Sequence, residues 1–380
     1  MVDKFLPFPA DSGGKQRSAA ILRRLAEHGE VTICAVDDGT GDHDAFADIG
    51  VGVHAAPRGG LIDVVLGVLR TRSISAGRFW SRAFRRELQG IIADNEFDCL
   101  VVVCSQMAPY VSMLPVRHRI LDLQNIESAL FESYAASAKP LRALPARLEG
   151  MAMRHLEQRA LEAFDTVSVV SEQDAERLPG PHPRVLICPN GWDPSPPLPM
   201  GDEPIVAFIG LMGWAPNADA AAWLVDQVWP HVRTQTPGAR LVLVGRDPTP
   251  GVQALAAQDI TVTGTVPDVL PYLADARVAV APLRAGGGSR LKILEALNAG
   301  RPVVATAIGA EGLEHFVGGG LQIADDPPVF AQLLVDLLDD RDKATALGRQ
   351  GNAAVGKSYS WDRTLAPLLE DVAKSGSTEG

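Results

Sequence analysis

The chain is predicted to fold as two doubly wound α/β domains. Three observations carry this reading. Strand-like runs of Val, Ile and Leu alternate with helical patterns through almost all 380 residues. The alternation occurs twice, with a proline-rich segment between the halves. One apolar strand runs directly into three consecutive glycines and then a helix. Continuous apolar runs between helices indicate parallel strands covered on both faces. A hydrophobic content of 46% is enough for two full cores.

The first strand is the weakest. Only Val2-Asp-Lys-Phe-Leu6 precedes the loop Pro7-Phe-Pro-Ala-Asp-Ser-Gly-Gly14. Either this strand is short, or the true start codon lies upstream. An amphipathic helix over Gln16 to His28 leads to the strand Val31 to Val36. The runs Cys99 to Cys104, Arg119 to Leu123 and Thr166 to Val170 continue the sheet. Asp122-Leu-Gln-Asn-Ile-Glu127 leaves the carboxyl end of a strand, the edge where such sheets bind ligands. The segment from Pro194 to Pro204 has the composition of a semi-rigid linker. Beyond it, strands are predicted at Ile205 to Ile209, Arg240 to Val244, Ile260 to Thr263, Val278 to Ala281 and Pro302 to Ala305. Helices are predicted near Ala218 to Arg233, Val269 to Ala274, Arg290 to Ala299 and Pro328 to Leu338.

The most informative chemistry follows the strand Val278 to Leu283. The chain reads Arg284-Ala-Gly-Gly-Gly-Ser-Arg-Leu-Lys-Ile-Leu-Glu295. Gly286, Gly287 and Gly288 let backbone amides approach a ligand, and the helix opening near Ser289 offers free N–H groups and a positive dipole end to an anion. Lys292 and Glu295 are three apart and share a helix face. A cation beside a phosphate and a carboxylate accepting two ribose hydroxyls suit a nucleoside diphosphate.

Charge and composition exclude other classes. A formal net charge of -11 argues against a general nucleic-acid binder. No uncharged stretch reaches membrane-span length, and the start carries no basic, apolar, cleavable signal. Cys34, Cys99, Cys104 and Cys188 form no Cys-x-x-Cys pair and lie in or beside strand-like runs. They read as reduced core thiols of a cytoplasmic protein, with no metal site. One basic feature stands apart on this acidic chain. Arg70, Arg72, Arg78, Arg82, Arg85 and Arg86 follow the apolar stretch Leu61 to Leu69. They form either a solvated helix face or a surface for an anionic acceptor or the inner membrane face.

Taken in order, the motifs resemble the retaining GT-B glycosyltransferases of family 4. Pro7 to Gly14 followed by Lys15-Gln-Arg17 is similar to that family's first glycine loop, and Ile187-Cys-Pro-Asn-Gly-Trp-Asp193 to its domain junction. Phe208-Ile-Gly210, Leu243-Val-Gly-Arg246 and Thr263-Gly-Thr-Val-Pro-Asp268 resemble its donor-domain segments, and Gly286 to Thr306 is the most specific match. Tyr359-Ser-Trp361 opens a helix resembling the one that crosses back to the first domain. The resemblance implies two Rossmann-like domains facing a cleft. Residues 1–198, closed by a helix over 361–375, would hold the acceptor, and 203–358 the donor. It implies transfer from a nucleotide diphosphate sugar with the anomeric configuration retained and no metal or other cofactor.

The resemblance also assigns residues. Glu295 holds the ribose. Gly210, Asn217, Arg246, Val266, Asp268 and the run Gly286, Gly287, Gly288, Ser289, Arg290, Leu291 and Lys292 surround the donor. Gly13, Gly14 and Lys15 approach the diphosphate or the acceptor, while Lys15 and Arg17 also read as solvated side chains. Glu127 and Asn125 are the acceptor-side candidates and Lys292 the cation for the leaving group; Trp192 and Trp214 are candidate cleft linings or simple packing. Three positions depart from the family pattern. Eight residues before Glu295, where many members have a second glutamate, stands Gly287. Leu211 to Asp219 contains no cation, so neutralisation falls on Arg290, Lys292 and the helix dipole. Gln124 stands where many relatives have histidine.

Other readings stay open at this stage. A GT-B nucleotide-sugar epimerase would need acid/base groups with no clear candidates here, and a non-catalytic homologue would bind a partner transferase. No carboxylate pair suggests glycoside hydrolysis. A dinucleotide dehydrogenase lacks its Gly-x-Gly-x-x-Gly after a first strand. The base, the sugar and the acceptor (glycan, lipid-linked sugar or natural product) are not specified.

Overall fold

The structure is a computed structural model and describes residues 1–37, 39, 41–111, 114–137, 140–181, 184–285 and 290–376. It divides into two compact units. The first holds Met1–Asn190 and the chain from Thr364 onward; the second begins at Gly191 and includes Arg290–Arg363.

The first unit is built on seven parallel strands: β1 (Val2–Asp3), β2 (Thr32–Asp37), β3 (Gly52–Pro57), β4 (Cys99–Val103), β5 (His118–Leu123), β6 (Thr166–Val169) and β7 (Arg184–Ile187). Their order is β3-β2-β1-β4-β5-β6-β7. The strand β1 is only two residues long, yet it sits between β2 and β4, with Val2 beside Cys34 and Val102. The long apolar runs of β4 and β5 are buried, with Val102, Val103 and Leu121 fully inaccessible.

Two strands of this sheet have no counterpart in the sequence reading. Gly52–Pro57 and Arg184–Ile187 are its edges. They are half-exposed and lack a continuous apolar run. The first helix begins at Gly13 rather than Gln16. The final helix, Trp361–Gly376, returns to this unit. There Asp371 accepts from Arg184 Nη1 at 2.7 Å and lies 2.8 Å from His118 Nε2. Burial alone would raise the Asp371 carboxyl, but these partners hold it below its ordinary value.

The second unit has six parallel strands: β8 (Ile205–Ile209), β9 (Arg240–Val244), β10 (Ile260–Val262), β11 (Val278–Ala281), β12 (Val303–Ala305) and β13 (Leu321–Ile323). Their order is β10-β9-β8-β11-β12-β13. Phe208, Leu241, Leu243, Phe330 and Leu334 lie in its core. The helix predicted near Ala218 to Arg233 is longer and interrupted. Ala215–Trp223 is α-helical, Leu224–Val228 forms a π-helical turn, and Trp229–Gln235 resumes the α-helix. Pro230 stands at the restart and has no N–H to donate, so the backbone winds more widely ahead of it.

The proline-rich segment is tied down within this unit. Asn298 Nδ2 donates to Ser195 Oγ at 2.8 Å, and Asn352 Nδ2 to the Ser195 carbonyl at 2.9 Å. The fully buried Arg301 donates to the carbonyls of Leu198, Pro199, Leu273, Ala274 and Gly300. Burial lowers its guanidinium to about 10.

Candidate active site

In each sheet the strand order reverses about one pair, β1/β4 in the first unit and β8/β11 in the second. Ligands of doubly wound sheets bind beyond the carboxyl ends of such a pair.

In the second unit Gly210 follows β8 and Gly245 follows β9. Gly245 has φ +151°, and a Cβ there would overlap the Gly210 carbonyl oxygen. Only glycine lets these two backbones cross so closely. Above Gly210 stands Asn217, buried in the first turn of Ala215–Trp223. Its Nδ2 donates to the Leu211 carbonyl at 2.9 Å, and its Oδ1 accepts from Lys292 Nζ at 2.7 Å. Lys292 therefore reaches from the helix Leu291–Asn298 to the end of β8, with Nζ 5.1 Å from the Phe208 ring centroid.

Two groups on this helix are displaced from their ordinary protonation. Burial, then the neighbouring Arg290 charge, lowers Lys292 to about 7. Burial, then the Asp268 charge, raises Glu295 to about 7. A bound anion would favour the charged ammonium, and hydroxyl donors would favour the carboxylate.

The other donor-side candidates take several roles. Gly286, Gly287, Gly288 and Ser289 lie outside the described residues. Arg290 is buried and pairs with Glu311 at 3.0 Å, so the structure forms a salt bridge at this helix start. Leu291 is buried as the first residue of its helix, leaving its side chain to packing. Arg246 is half-buried, and its carbonyl accepts from Met212 N at 3.0 Å. Val266 is half-buried and Asp268 exposed, with Asp268 Oδ1 accepting from Leu270 N at 2.9 Å. Trp214 stands just ahead of the Ala215 helix, and Trp192 N donates to the Tyr359 carbonyl at 2.8 Å.

In the first unit Gly13, Gly14 and Lys15 form the opening turn of Gly13–Ala26. Gln124 Nε2 donates to the Gly14 carbonyl and to Ser18 Oγ, both at 3.1 Å. A Cβ on Gly14 would come within 2.8 Å of Gln124 Oε1. Lys15 lies 3.6 Å from Asp11. Arg17 is not a solvated side chain. It is 1% exposed and forms a bidentate pair with Asp122 at 2.9 and 2.6 Å. Its Nη1 donates to the Cys188 carbonyl at 2.9 Å and to Asn190 Oδ1 at 3.1 Å. The junction motif around Asn190 is thus fixed to the ends of β5 and β7 by one guanidinium.

Glu127 is buried at the head of Glu127–Ser137, and its backbone N donates to Glu157 Oε1 at 2.8 Å. Burial, with the Glu127 charge contributing, raises Glu157 to about 7. Asn125 is half-buried on the same loop. Lys4 follows β1. Burial would lower its ammonium, but Cys104, Glu127 and Asp3 hold it above its ordinary value. Sequence reasoning missed Lys4, Glu157 and Glu311. Arg17 was legible in one respect: its spacing from Ile21 puts it on the apolar face of the helix.

Two parallel Rossmann-like sheets, with the last helix docked on the first, define a GT-B-like fold. Residues 203–340 match the family model for glycosyl transferases group 1. That match lies in the second half of the chain. The chain is 35% identical over 161 residues to the GDP-mannose-dependent alpha-(1-6)-phosphatidylinositol monomannoside mannosyltransferase of Mycobacterium tuberculosis, a match covering 38% of this chain and 42% of that one. It is 38% identical over 115 residues to the D-inositol 3-phosphate glycosyltransferase of Salinispora arenicola, covering 30% and 25%. The chain thus spans less than half the length of these curated relatives. Among solved structures it resembles sucrose-phosphate synthase from Thermosynechococcus elongatus, with a TM-score of 0.73, 16% identity and 98% of both chains covered. Anabaena HepE, solved with UDP and glucose, gives 0.69 and 14% over 98% of this chain and 99% of that one. Among the described residues no group of three or more His, Cys, Asp or Glu could hold a metal ion, and no helix is long and apolar enough to cross a membrane.

Proposed function

We propose that this chain is a retaining glycosyltransferase, moving a sugar from a nucleotide diphosphate sugar to an acceptor hydroxyl without a metal. The observation that carries this reading is the pair on one helix: Lys292, anchored by Asn217, and Glu295, both displaced to about 7 by burial and by a like charge beside each. Lys292 faces the diphosphate and Glu295 the ribose. Arg290, fixed by Glu311, adds positive potential beside Lys292. Gly210, Arg246, Val266, Asp268 and the run from Gly286 to Leu291 complete the donor site. Residues 203–358 then form the donor domain. Residues 1–198, with the helix over 361–375, form the acceptor domain. GDP-mannose in the mycobacterial relative's name supports a GDP-sugar as donor, with a UDP-sugar, the ligand class of the HepE structure, as the other candidate.

As the glycosidic carbon–oxygen bond breaks, charge grows on the leaving diphosphate, and fixed positive groups there lower the barrier. The departing phosphate oxygen takes the acceptor hydroxyl's proton, so no enzymatic nucleophile is needed. Gly13, Gly14 and Lys15 border the diphosphate or acceptor, and Glu127 and Asn125 orient the acceptor (a glycan, lipid-linked sugar or natural product). The reading places the enzyme in the cytoplasm, with the inner membrane face as its peripheral contact.

The test is a thermal-shift screen with UDP, GDP and their sugars. A ligand at 100 times its Kd adds about 2.7 kcal/mol of stability. One nucleotide series should raise Tm, and Glu295→Ala or Lys292→Ala should abolish that rise while leaving the unliganded fold intact. If no nucleotide diphosphate shifts Tm, the reading fails. A nucleotide sugar converted without acceptor would identify an epimerase instead.

A further inference from the structure

We infer that the helix Leu61–Thr71 docks the protein on an anionic lipid bilayer, lying flat in the headgroup region. Leu61, Ile62, Val65, Leu66 and Leu69 are all exposed, Leu61 at 80% and Leu69 at 73%. Spacings of four place Leu61, Val65 and Leu69 in one stripe, with Ile62 and Leu66 alongside. The opposite side fixes this orientation. Gly67 is buried so closely that a Cβ would overlap Trp80, and Thr71 Oγ1 donates back to the Gly67 carbonyl at 2.8 Å. The helix is therefore clamped with its aliphatic side outward.

The surroundings select the occupant. Between Leu61 and Arg86 the chain carries six arginines and one carboxylate, Asp63, on a protein of net charge -11. Arg70, Arg72, Arg78, Arg82, Arg85 and Arg86 are all exposed. Asp63 pairs with Arg82 at 2.5 Å, and Arg70 lies 5.0 Å over the Trp80 ring. The turn after the helix adds Ile74, 63% exposed. Glu149 accepts from its backbone N at 3.1 Å and so holds the helix Pro140–Ala163, with exposed Leu148 and Met151, beside it. Aliphatic side chains level with a dense arginine field fit acyl chains below and anionic headgroups above. Eleven residues are too few to span a bilayer.

This inference deepens the peripheral contact proposed above and rests on that reading only for the choice of the inner membrane face. Vesicle binding requires no donor, so its failure and that of the transferase reading are distinguishable. The experiment is flotation of the full chain with phosphatidylcholine vesicles, with and without about a third phosphatidylglycerol. Binding should be at least about tenfold tighter to the anionic vesicles and should fall with salt. Val65→Asp with Leu69→Asp should abolish it, and Arg85→Glu with Arg86→Glu should weaken it about tenfold, both leaving Tm and the nucleotide-induced shift unchanged. Equal binding to both vesicles, no binding to either, or a lipid-free dimer dissociated by the aspartate pair would overturn the inference.

Discussion

Lys292 and Glu295 make opposite demands on solution pH. Each titrates near 7 in the free protein, Lys292 lowered and Glu295 raised. A diphosphate favours protonated Lys292, so nucleotide affinity should fall as pH rises past about 7. Ribose hydroxyls favour ionised Glu295, so affinity should also fall as pH drops below about 7. Calorimetric titration of the matching nucleoside diphosphate should give a bell centred near neutrality. Glu295→Gln should remove its acid limb, and Lys292→Met its alkaline limb. A flat profile from about pH 6 to about pH 8 would speak against both assignments. Their nearness was readable because a three-residue spacing on a helix fixes a common face. The partners that tune them were not. Asn217 lies 75 residues from Lys292, and Glu311 lies 21 from Arg290. Only the strand order brings them together.

At the scale of elements, the helix Gly13–Ala26 is held to the sheet by Arg17, a charge at a position its apolar pattern reserves for the core. Its bidentate pair with Asp122 is fully buried. Removing one member of such a pair leaves an uncompensated charge and costs about 3–5 kcal/mol. Arg17→Leu should lower the urea stability of the protein by that amount, and Arg17→Leu with Asp122→Leu by less. Equal losses in the two variants would show that packing, not charge, holds this helix. Strand legibility followed burial. The runs of β4, β5, β8 and β9 are continuous because both faces are covered, whereas β3, β7 and β13 are sheet edges with mixed composition. The π-helical turn was unreadable because it depends on where Pro230 falls in a helix whose start the sequence misplaces by three residues.

Across the whole molecule, the last helix completes a unit begun some 360 residues earlier, and Asp371 is its polar anchor. Its depressed pKa means that this stabilisation is present above its unfolded value near 4 and is lost as pH falls through the folded value. Asp371→Asn should cost about 1.5–3 kcal/mol. It should also speed hydrogen exchange across residues 364–376 at neutral pH. Unchanged exchange would assign the docking to the apolar side chains Leu365 and Leu368 alone. The two-unit plan was readable from alternation and from the order of the motifs. The first-unit network of Lys4, Glu127 and Glu157 was not, because Lys4 follows β1, Glu127 heads the helix after β5 and Glu157 lies within the helix Pro140–Ala163.

Arg301 carries a broader consequence. Its charge is met by five peptide oxygens and, in those bonds, by no acid. Acidification therefore has no counter-ion to neutralise there, and a planar fork that stays protonated suits the task. Lysine could satisfy fewer of the oxygens and could shed its proton in so dry a place. Altering acids around the rim of the second sheet therefore leaves these five bonds in place, and with Asn298 and Asn352 they rivet the proline-rich stretch to the body beneath it.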